Sequence, residues 1–124
     1  MKIDVIGPAA VIREPGVLIT DGSSAMDVLA TVRYETGCSA VIVHKEQLDE
    51  SFFRLSSGLA GEVLQKFVNY QMRVGIVGDL SGYTSKPLHD FICESNQGRQ
   101  ICFLPMEAEA IAWLERAVRD RQAT

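Results

Sequence analysis

The chain has 124 residues, 47% hydrophobic and 23% charged, the proportions of a soluble globular domain and not of a disordered segment. The formal net charge is −4 and Lys and Arg form no run, so the basic face that a nucleic-acid binder needs is not expected. No apolar stretch reaches bilayer-spanning length, and the opening MKIDVIGPAA lacks an unbroken apolar run, so neither a membrane span nor a signal peptide is expected and the cytosol is the expected compartment.

One domain over residues 1–124 is expected, long enough to bury roughly two-thirds of its unfolded surface. Residues 2–6 form an edge strand cut off by Gly7-Pro8. Residues 9–13 and 17–20 are β-rich runs joined by Glu14-Pro15-Gly16, where Pro presets φ and Gly supplies a positive one, so a hairpin or a tight strand connection is expected there. Asp21-Gly22-Ser23-Ser24 offers capping oxygens to a helix over about 25–36. Val28, Leu29 and Val32 line its inner stripe and Gly37 ends it. The continuous apolar run at 40–43 predicts a strand buried on both faces.

A Ser-Ser-Gly triplet, Ser56-Ser57-Gly58, then opens an amphipathic pattern with Leu59, Val63, Leu64, Phe67 and Val68 on one side. Residues 74–77 predict the next buried strand, ending at Gly78-Asp79. The turn-rich segment 81–85 leads into a helix with Pro87 in its first turn, Leu88, Phe91 and Ile92 inward and Gly98 at its close. Residues 101–104 predict the last strand. Pro105 admits a final helix with Ala110, Ile111, Leu114 and Val118 inside, and Trp113 on its inner side. The alternation predicts an α/β fold: a mostly parallel mixed sheet of four to five strands, an N-terminal β-hairpin and four helices joined by right-handed crossovers.

The run VIV followed by SSGLAGEVL resembles the STAS domain of anti-sigma-factor antagonists, where a strand leads into an Asp-Ser-Ser-Gly-Leu helix start. The segment from VGIVGDLSGYTSKPLHDFI to EAEAIAWL is similar to the later part of that domain, so the resemblance covers about residues 9–118. It implies a STAS-like fold and a phosphoacceptor at Ser56, with Ser57 adjacent. The Asp before the Ser is Leu55 here, which removes an acidic neighbour, and the connection from Val43 to Ser56 is longer. A closer likeness, carried by ATVRYETG, GLAGEVLQKFVNY, VGDLSGYTSKPLHDFI and NQGRQICF, is to the bacterial domain-of-unknown-function family 4180. That resemblance implies a fold and no particular chemistry.

Two sites are weighed on the residues themselves. Ser56 and Ser57 can cap the helix that follows, a contribution of about 1 kcal/mol. The same geometry would hold a phosphate or another anion at the helix's positive end, with Gly58 permitting close approach. Gly78, Asp79, Tyr83, Thr84, Ser85 and Lys86 lie beyond a parallel strand's carboxyl end, where ligands collect in open α/β sheets. They form a second candidate mouth, on which Ser56 is expected to converge. The alternative is structural: Thr84 or Ser85 caps the helix, Lys86 is solvated and Asp79 holds the turn.

Cys38, Cys93 and Cys102 form no CxxC pair, and His44 and His89 stand apart from them, so no metal, cofactor or catalytic set is expected. Both histidines are read as structural or exposed. The leading expectation is a non-enzymatic regulatory or interaction module with a protein partner; a homodimer formed through an exposed apolar helix face is a third option. A ligand-binding protein or enzyme using the 79–86 mouth is the alternative.

Overall fold

The computed structural model describes residues 1–123. Five strands form one sheet in the order β1(Ile3–Ile6), β2(Ala9–Ile12), β3(Ala40–His44), β4(Arg73–Val77) and β5(Ile101–Leu104). β1 pairs with β2 antiparallel, and the pairs β2–β3, β3–β4 and β4–β5 are parallel. Four helices complete the α/β fold: α1(Gly22–Thr36), α2(Leu59–Asn69), α3(Lys86–Gln97) and α4(Glu107–Ala123).

Because the parallel strands follow each other in space as in sequence, every right-handed crossover steps the same way and leaves its helix on the same face. The core accordingly divides in two. On one face Ala10, Ile12, Val41, Val43, Val74, Ile76 and Phe103 pack under α1, α2 and Leu88 of α3. On the other, Ala9, Val11, Ala40, Ile42, Val77 and Cys102 meet Ala110, Trp113, Leu114 and Ala117 of α4. The two-residue period of each strand sends neighbours to opposite layers, which is why the strand sequences are apolar throughout. Small residues on the second face let α4 approach: a Cβ on Gly75 would sit 3.4 Å from the Ala110 Cβ and from the Cys102 sulfur.

The hairpin is displaced from its predicted position. It joins β1 to β2 through Gly7-Pro8, with Gly7 at φ 58°, a two-residue connection whose first central residue needs a positive φ. Residues 17–20 form no strand, because β2 is already paired along both edges, to β1 and to β3, and the segment is held instead by buried Gln47. Its Nε2 donates to the carbonyls of Ile12 (3.1 Å) and Glu14 (2.8 Å), and its backbone carbonyl accepts from Leu18 and Ile19. Segment 17–20 therefore crosses the end of the sheet, pinned by buried Ile19 through a single bridge to Leu48.

α1 begins three residues earlier than predicted because Asp21 and Ser24 close a capping box. The Ser24 N–H donates to Asp21 Oδ1 (2.8 Å), and the Asp21 N–H donates to Ser24 Oγ (3.1 Å). Val68, assigned to the inner stripe of α2, is 38% exposed at the edge of that stripe. Among the described residues no helix is long and apolar enough to cross a membrane.

Candidate functional site

Ser56 and Ser57 stand just before the α-helix, in a 3₁₀ turn of their own (Leu55–Ser57). The position at the head of α2 belongs to Gly58, at φ 80°, whose N–H closes the short turn onto Leu55 and whose carbonyl accepts from Glu62. The two hydroxyls have different environments. Ser57 Oγ donates to the Ser51 carbonyl (2.7 Å) and accepts from the Leu59 N–H (3.2 Å), so it holds the helix start. The Ser56 side chain is exposed and has no hydrogen bond among the described residues.

Ser56 lies on the rim of a cleft of about 420 Å³ at the carboxyl end of the sheet. Phe53 and Tyr83 form one wall, stacked with ring centroids 5.0 Å apart, and Pro87 at the start of α3 lies opposite. Glu50, Arg54 and Ser85 supply the remaining polar rim. Tyr83 is held from three sides. Its hydroxyl donates to Glu50 Oε1 (2.6 Å), the Lys45 ammonium sits 5.1 Å from its ring centroid, and its carbonyl accepts from His89 Nε2 (2.7 Å). Burial, and then the bond to Glu50, push the phenol up to about 12.

The predicted 79–86 mouth is divided. Tyr83 and Ser85 share the first cleft with Ser56, whereas Gly78 and Asp79 line a second, mostly apolar cleft of about 350 Å³. Leu104 at the end of β5 and Pro105 after it, with His89 and Cys93 from α3, also line that second space. Thr84 and Lys86 line neither cleft: Thr84 is exposed, and Lys86 Nζ bonds Asp90 Oδ2 (2.9 Å) one helical turn away. Ser85 caps α3 by accepting from the Leu88 N–H (3.4 Å). Asp79 Oδ1 accepts from the Ser81 N–H (2.9 Å), and its bonds to Ser81 hold the carboxyl below the usual range. Near this division the Lys45 side chain runs over Gly78 to donate to the Asp79 carbonyl (3.1 Å).

A family model described as Domain of unknown function (DUF4180) matches residues 7–114. The chain belongs to the DUF4180 family. The matched span holds both clefts and every candidate site residue. No curated protein and no solved structure matches the chain.

A charged cluster on this DUF4180 domain escaped the sequence reading. Glu107, first residue of α4, takes both Arg13 Nη1 and His44 Nε2 on its Oε2 (2.5 Å each), and Arg13 Nε reaches Asp4 Oδ2 (3.0 Å). Arg13 and His44 stand at the carboxyl ends of β2 and β3, so the cluster ties α4 to the sheet. The bond to Arg13, and then that to His44, hold the Glu107 carboxyl below its ordinary value. Its members lie 63 and 94 residues from Glu107, a distance over which no local pattern signals a contact.

Proposed function

We propose that this DUF4180 domain is a STAS-like regulatory module of the bacterial cytosol, which binds a protein partner through the cleft beside Ser56. Charge placed at Ser56, as a phosphate or a bound anion, changes what that partner meets. The observation that carries the proposal is the division of labour between adjacent serines. Ser57 is committed to the fold, and Ser56 presents an exposed hydroxyl on a cleft rim. The surroundings suit a reversible charge. Arg54 on the rim attracts a phosphate, Glu50 opposes it, and the stacked Phe53 and Tyr83 give a partner side chain an apolar surface. The order of elements and the SSGL segment support the STAS-like assignment.

The test is intact-mass measurement and peptide mapping of protein from its native host, followed by partner capture with Ser56→Ala and Ser56→Asp. The expected result is a phosphate on Ser56 and opposite effects of the two substitutions on capture. Identical capture by both variants would refute the switch.

A second use, as a small-ligand site, is favoured by the apolar cleft beside Asp79. It predicts that a ligand raises the melting temperature of the wild type and not of Asp79→Asn, with Lys86→Ala unaffected. No shift across a panel of metabolites would remove this second use.

A further inference from the structure

The two edges of the sheet are finished differently. On β5 the Asn96 side chain acts as a surrogate strand: its Nδ2 donates to the Phe103 carbonyl (3.1 Å) and its Oδ1 accepts from the Phe103 N–H (2.7 Å). No such cap stands on β1. The Arg13 N–H bonds the Lys2 carbonyl (2.7 Å), which makes Lys2 and Arg13 a hydrogen-bonded pair. Alternation along an antiparallel ladder then turns the groups of Asp4 and Ile6 inward to β2, and those of Ile3 and Val5 outward. Among the described residues no hydrogen bond closes these outward groups.

The side chains match that open edge. Met1, Ile3 and Val5 share one face and Lys2 and Asp4 the other. Met1 and Val5 remain 43% and 56% exposed, although Ile3 between them packs on the core. A strand whose apolar face is half uncovered, beside unpaired backbone groups, is a template for another strand.

We propose that the occupant of this edge is β1 of a second copy, added antiparallel about a two-fold axis that passes through Ile3. Charge selects this register. With Ile3 opposite Ile3, Lys2 of each copy stands against Asp4 of the other, and Met1 against Val5. Shifting the axis to Asp4 sets two carboxylates directly opposite in the closer kind of pair, which is unfavourable. Shifting it to Val5 places Ile3 against Gly7, where the strand already turns. The chosen register gives two copies of an opposite-charge pair on one face and a continuous Met-Ile-Val stripe on the other. The pairing is short, so the dimer is a weak and reversible one.

Sedimentation velocity at low salt, from about 10 μM to about 1 mM, covers the range in which so small a contact associates. The chain is left untagged at its N-terminus. Lys2→Asp and Asp4→Lys each make both cross-strand pairs repulsive, and each is expected to weaken dimerisation at least roughly tenfold. An equimolar mixture of the two variants restores both pairs and regains the dimer, a result that damage to the monomer fold cannot produce. A wild type that is monomeric throughout the range would overturn the proposal. So would single variants that dimerise as the wild type does, or a mixture no more associated than its components.

Discussion

Gly78→Ala probes the close contact between Gly78 and Lys45 at the strand ends. Gly78 has φ 151°, a conformation that L side chains rarely adopt, and a Cβ there would lie 2.7 Å from the Cβ of Lys45. Ordinary carbon contacts lie near 3.5–4.0 Å, so about 1 Å must be found. The obstructing atom is attached to backbone next to β3, so a simple rotamer change does not supply it. Backbone strain of about 1–3 kcal/mol and overpacking of about 1–3 kcal/mol combine to a loss of about 2–6 kcal/mol. A loss of 3 kcal/mol with a urea dependence of about 2 kcal/mol per molar moves the unfolding midpoint down by about 1.5 M.

Lys45→Gly in the same background removes the obstructing Cβ and recovers the steric part, leaving the backbone part, so the double-mutant cycle separates the two. Gly61→Ala serves as the opposite control. No atom lies within 4 Å of the added methyl inside α2, and about 0.5–1 kcal/mol of stabilisation is expected. A Gly78→Ala protein that unfolds within about 0.5 kcal/mol of the wild type would show that neither its backbone nor Lys45 constrains this position.

The two serines give a paired prediction: Ser57→Ala loses the bonds to Leu59 and Ser51 and about 1 kcal/mol, whereas Ser56→Ala stays within about 0.5 kcal/mol of the wild type. Urea melts in the reverse order would contradict the assigned roles. The raised phenol of Tyr83 makes a stability contribution that is full below the ordinary value of 10.0 and is lost as pH climbs to about 12. Tyrosinate absorbance should therefore show a late step that Tyr83→Phe removes, and a native titration complete before that step would count against the burial of Tyr83 and its bond to Glu50. Glu107 has the opposite sign. Its depressed pKa contributes stability above the unfolded value of 4.5 that is lost as pH falls through the lower folded value. Acid unfolding of Glu107→Gln should accordingly show a shallower pH dependence below about 4.5, and an unchanged acid limb would mean that the Arg13 and His44 contacts do not form in solution.

Local chemistry made much of the fold legible. The apolar runs at 40–43 and 74–77 are buried on both faces, and the edge run 101–104 buries Cys102 and Phe103 with Ile101 and Leu104 half-buried, so composition marks all three as strands. Asp21, Gly37, Ser85 and Pro87 mark helix ends because the backbone groups they serve lie within a few residues. Ser56 was visible as a candidate for the same reason, through the SSG triplet ahead of an amphipathic stripe. Which of its two neighbouring hydroxyls was left over was not visible, because Ser57's acceptor, the Ser51 carbonyl, belongs to a preceding turn.

The rest was decided where distant segments meet. Two turn signals competed for the hairpin, Gly7-Pro8 and Glu14-Pro15-Gly16, and both have suitable local chemistry. β3, distant in sequence, settles the choice by pairing along the second edge of β2, and Gln47 then holds the carbonyls of Ile12 and Glu14. The contact of Lys45 with Gly78 and Asp79 joins the connections that follow β3 and β4. The Glu107 cluster depends on α4 returning across the sheet to meet β2 and β3. By itself the sequence determined the class of fold, its strands and its helix ends, because those follow from periodicity and from hydrogen bonds closed within a turn. Only the tertiary structure decided which hydroxyl stays without a hydrogen bond, which side chains share a cleft and which sheet edge stays open, since those contacts join residues that no local spacing relates.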